Sequence, residues 1–148
     1  MPIDRPRPEE PPALRAAREA RRIAGDEAAG GDEARRDAFC TLLYGLALGF
    51  AAREDDPAPL PERVDALATR LVREVAGLPF REACRAVEAV AEALASGEPD
   101  AALAGLVHTG VAAASDWQDG DRAAFPQRIL QATAGESFAS DRALRARR

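Results

Sequence analysis

Apolar residues return at three- and four-residue intervals along most of the chain, and proline and glycine cut that pattern into segments. The clearest run is Phe80, Ala83, Cys84, Val87, Val90, Ala91 and Leu94, opened by Pro79 and closed by Gly97. Such spacing places the apolar side chains on one stripe of a helix and leaves the charges on its other side. A second stripe, from Val64 through Leu71 to Val75, predicts a helix from Pro61 to about Ala76, with Gly77 just past its end. Leu103, Leu106, Val107, Gly110, Val111 and Ala114 form the inner face of a helix predicted from Pro99 to about Trp117. Phe125, Ile129 and Leu130 form that of a shorter one from about Arg122 to Thr133. There Pro126 is tolerable because it falls in the first turn.

Two segments depart from this amphipathic rule. Pro12 to Ala24, stopped by Gly25, has only Leu14, Ala17 and Ile23 as modest apolar positions among many arginines, which predicts an exposed, weakly docked helix. In contrast, Ala38 to Ala52 carries no charge at all. It belongs to a helix predicted from about Glu33 to Arg53, with Asp32 as N-cap and an acidic first turn that suits the helix dipole. The run falls short of the ~18 apolar residues that a spanning helix needs. A helix apolar nearly all round is instead the one that the others surround. On it Gly45 and Gly49 form a GxxxG step, whose cost of about 1 kcal/mol per glycine relative to alanine must be offset by close packing. The face that packs there is expected to be intrachain, with a homodimer as the other use.

Alanine is abundant, aromatic residues make up only 5%, and no alternating β-branched run announces a strand. The fold class is therefore all-α. We expect a single bundle of five or six mostly antiparallel helices with a Pro-rich N-terminal tail. Residues 1–31 read as a Pro/Arg-rich arm, 32–135 as the helical core domain, and 136–148 as an Arg-rich tail with a last short helix from Asp141. MPIDRPRPEEPP lacks the apolar region of a signal peptide, and the expected location is cytoplasmic. Cys40 and Cys84 are then free thiols rather than a disulfide. All 20 basic residues are Arg, a bias expected of a G+C-rich bacterial source.

Charge narrows the partners. Residues 1–24 and 136–148 each carry +2, so the middle carries −9 of the net −5. An acidic body disfavours nucleic acid, whose affinity rests on phosphate contacts, and suits a basic protein partner.

Candidate chemistry is sparse. His108 is the only histidine, with no nucleophile motif beside it. Cys40, Cys84 and His108 lack metal-ligand spacing, so neither a metal nor a cofactor is expected. SDWQDGD, residues 115 to 121, resembles a calcium loop only until its twelfth position, where Pro126 replaces the bidentate glutamate. It reads as a helix-ending turn with Asp121 as the next N-cap, or as a recognition loop built on Trp117, Asp116, Asp119 and Asp121. Trp117 is the only tryptophan, a residue type enriched at interface hot spots. The functional expectation is a non-enzymatic helical protein-binding module, an immunity- or antitoxin-like inhibitor or an adaptor that docks one basic partner. The alternative is a helical enzyme or ligand-binding bundle whose site assembles from scattered residues such as His108, Tyr44, Asp116 and Arg128.

Overall fold

The structure, a computed structural model, describes residues 10–25 and 33–134, and all the regular structure among them is helical. Six α-helices follow in order: α1 (Pro12–Ala24), α2 (Glu33–Arg53), α3 (Leu60–Leu71), α4 (Phe80–Ala95), α5 (Ala101–Gln118) and α6 (Ala124–Ala134). A single wide, π-type turn, Val72–Ala76, extends α3 until Gly77 ends it in the left-handed conformation at φ 77°. No helix among the described residues is long and apolar enough to cross a membrane. Asp32, the expected N-cap of α2, and the tail beyond residue 134 lie outside the described residues.

The centre of the bundle is α2. Twelve of its residues, from Phe39 to Ala51, are buried on every side of the helix, as its uncharged sequence requires. Its most extensive partner is α5. Going up α2, Gly45 faces Val107 and Gly110, Gly49 faces Val111 and Ala114, and Arg53 reaches Ser115 and Asp119. Both series increase together, so this central pair is parallel. The chain can make it so because α3 and α4 intervene. The pair α5 and α6, joined by a tight turn, is an antiparallel hairpin, with Trp117 against Phe125 and Asp116 bonded to Arg128.

The contact between α2 and α5 is close enough to exclude side chains. A Cβ on Gly45 would lie 2.3 Å from the Val107 carbonyl oxygen and 2.9 Å from the Gly110 Cα. One on Gly110 would lie 2.5 Å from the Leu42 carbonyl oxygen. One on Gly49 would lie 2.6 Å from the Ala114 Cβ. Two backbones thus touch directly through small residues at four-residue spacing, and dispersion between them offsets the low helix propensity of glycine.

Three expectations need correction. Helix α1 is docked, not weakly held: Leu14, Ala16, Ala17 and Ala20 are fully buried. Alanines too small to register as an apolar stripe let α1 approach the core closely, while Arg21 Nη1 donates to the Val75 carbonyl at 2.9 Å. That carbonyl sits at the end of the π-type turn, where helical partners run out. Phe80, assigned to an inner face, is 58% exposed at the start of α4, with the Arg73 guanidinium 5.3 Å from its ring centroid. Leu130 is also exposed. Phe125 and Ile129, four residues apart, share the buried face of α6, whereas Leu130 lies a further 100° round it.

Candidate functional site

The turn between α5 and α6 gathers the four residues that the sequence singles out, and gives each a different employment. Asp116, in the last turn of α5, bonds through Oδ2 to the Arg128 Nε of α6. Asp119 accepts from Arg53 Nη1 at 2.9 Å, while Arg53 Nη2 donates to the Ser115 hydroxyl at 2.8 Å. The Arg53 hydrogen bond holds the Asp119 carboxyl below the usual carboxylate range. Asp121 caps α6: its Oδ1 accepts the Ala124 N–H at 3.1 Å. The backbone N–H of Asp121 closes the turn onto the Asp116 carbonyl at 2.9 Å. All three acids therefore have internal hydrogen-bond partners.

Trp117 is different. It is partly buried, its ring meets that of Phe125 edge to face at 5.0 Å and 67°, and it forms a wall of two clefts. The larger, about 550 Å³, is floored by Trp117, Phe125 and Pro126 and edged by Arg15 of α1 and Arg122 of the turn. The smaller, about 380 Å³, lies between Pro11, Pro12, Phe50, Leu67, Trp117 and Gln118. Gln118 Oε1 is buried without a hydrogen-bond partner, a cost that a donor entering this cleft would remove.

Of the residues of a scattered reactive site, only Asp116 and Arg128 come together, in the ion pair between α5 and α6. His108 is exposed on the side of α5 away from α2, whereas Tyr44 and Cys40 are buried in α2. Burial pushes the Cys40 thiol up to about 12, with the Asp37 charge adding to the effect, so it stays a protonated core residue. Burial also raises Tyr44, with a contribution from the Asp65 charge. Cys84 is half-buried on α4. Among the described residues, no group of three or more His, Cys, Asp or Glu could hold a metal ion.

Sequence reasoning missed Arg53, Ser115, Arg15, Arg122 and Gln118. Arg53 and Asp119 are 66 residues apart, and only the parallel pairing of α2 with α5 joins them. A second region was equally invisible. Glu88, Glu92, Glu98 and Asp100, at the corner from α4 into α5, have no arginine between residues 86 and 115 and form no ion pair among the described residues. Comparison of the chain with protein-family models, curated proteins and solved structures finds no match.

Proposed function

We propose that this protein is a non-catalytic protein-binding module whose contact surface is the Trp117 end of the bundle. One observation carries the reading: the single tryptophan is neither sunk in the core nor free in solvent, but forms the shared wall of two clefts. A partly buried indole held by Phe125 is pre-ordered, so a partner covering it gains apolar contact at little cost in side-chain entropy. The partner is a basic protein. The net charge of −5 favours its approach over distance, while the clefts make the short-range contact. Size and charge suit an immunity- or antitoxin-like inhibitor or an adaptor acting in the cytoplasm.

Affinity capture from an extract of the source cell, run beside two variants, tests this. The unaltered chain is expected to retain one basic protein. Trp117→Ala should release it with a faster off-rate, by about 2 kcal/mol or more in affinity. The quadruple variant Glu88→Gln, Glu92→Gln, Glu98→Gln, Asp100→Asn should associate more slowly and with weaker dependence on salt. Retention unchanged by Trp117→Ala, with the variant folded, defeats the proposal.

A further inference from the structure

We infer that the larger cleft beside Trp117 is a binding site for a small aromatic carboxylate, a ligand with a flat apolar body and one anionic group. The inference goes beyond partner docking and does not depend on it.

The lining of the cleft is balanced in charge where the molecule as a whole is acidic. Two acids line the cleft, Glu19 and Asp121, and both are engaged. Glu19 is bonded to Arg22, which lowers its carboxyl below the usual range, and Asp121 caps α6. Two guanidinium groups also line it, Arg15 and Arg122, and neither has a hydrogen bond or ion pair among the described residues. An arginine side chain only donates, so a group that completes these two must accept, and a carboxylate accepts from planar forks best of all. Between them the open floor is apolar: Trp117 and Pro126 are half-buried and line it, and Phe125, 1% exposed, backs the indole edge to face at 67°. A flat ring entering the cleft stacks on the open part of the indole, which Phe125 holds in place from behind. The volume, about 550 Å³, lies within the range of small-molecule sites. Arg15 comes from α1 and Arg122 from the turn after α5, so the site exists only because α1 is docked onto the hairpin.

The single tryptophan supplies the readout, because the chain has one indole N–H resonance in a nitrogen–proton correlation spectrum. The probe is 1-naphthoate, and the neutral control is 1-naphthalenemethanol, of nearly the same shape. Titration of the full chain with 1-naphthoate is expected to shift the Trp117 indole signal saturably, with the neutral control binding at least tenfold more weakly. Arg15→Gln with Arg122→Gln should erase that preference while leaving the helical circular dichroism unchanged, and Arg15→Lys with Arg122→Lys should restore part of it. Equal affinity for the two probes, no shift at millimolar naphthoate, or an undiminished preference in the glutamine variant overturns the inference. The preference measured on the unaltered chain decides the matter even if a variant misfolds. A failure here with partner capture intact would leave the docking proposal standing, and the reverse result would leave the ligand site.

Discussion

The seam between α2 and α5 and the end of the bundle at Trp117 are built in opposite ways. Along the seam, backbone meets backbone, and there is no room for a methyl group at Gly45, Gly49 or Gly110. One heptad beyond Gly110, at Trp117, contact is made by long side chains: Arg53 of α2 spans to Asp119 and Ser115, and Arg128 of α6 bonds to Asp116. Dispersion over a dry surface resists every change of volume. The exposed Arg53–Asp119 pair resists little, and two open clefts share Trp117 as a wall close by. Stability is thereby concentrated where there is no chemistry to do, and the candidate contact surface stands where substitutions are tolerated.

The largest effect should come from Gly45→Leu. With a carbonyl oxygen 2.3 Å from the new Cβ, the helices must separate, at a cost of about 3 kcal/mol or more. Chemical denaturation should show a midpoint far below that of the unaltered chain. Gly49→Ala is next, at about 2 kcal/mol, because its Cβ would meet that of Ala114. Adding Ala114→Gly moves the methyl group from one helix to the other, and a double-mutant cycle should recover more than half of the loss.

Trp117→Ala should cost less than a fully buried tryptophan would, about 1–2 kcal/mol, and leave the chain folded. A chain that does not fold without Trp117 would make the residue a plug of the core rather than a contact surface. Gly105→Ala changes the sign. It lies five residues before Gly110 on the same helix, but nothing is within 4 Å of its new Cβ, so the higher helix propensity of alanine should stabilise by about 0.5–1 kcal/mol. Thermal melts of Gly105→Ala and Gly110→Ala should therefore move in opposite directions.

Alkaline pH weakens the bundle without any substitution. The Cys40 thiol titrates at about 12 when folded, against an ordinary 9.0. The unfolded chain thus loses a proton first as pH rises, and the stability that Cys40 contributes, complete below pH 9, declines between about 9 and 12. Iodoacetamide at pH 8 should modify Cys84 first and Cys40 only as fast as the bundle opens.

How much of this was readable from the chain depends on the range of the interaction. The helices, their proline and glycine ends, the buried character of α2 and the capping by Asp121 are set within about one turn, and the pattern of residues carries them. The site follows a different rule. Composition counts Asp116 and Asp119 as available acids, yet Arg128 and Arg53 occupy them, and the second of those pairs depends on which helices lie side by side and in which direction. A GxxxG step says that something approaches Gly45 and Gly49, but not that it is the Gly110–Ala114 step of a parallel neighbour. The docking of α1 was hidden for another reason. Alanine buries well without contributing to an apolar stripe, so Ala13, Ala16 and Ala20 went uncounted beside the arginines.

Native-state hydrogen exchange reads both regions in one experiment on the unaltered chain. The amides of Gly45, Gly49 and Gly110 should exchange only through global unfolding, with the full stability of the bundle as their opening free energy. Those of Gly120, Asp121 and Ala124 should exchange through local opening, faster by roughly a hundredfold or more. Equal protection in the two regions, or a seam that opens before the Trp117 end, would contradict a rigid centre supporting a separable contact surface.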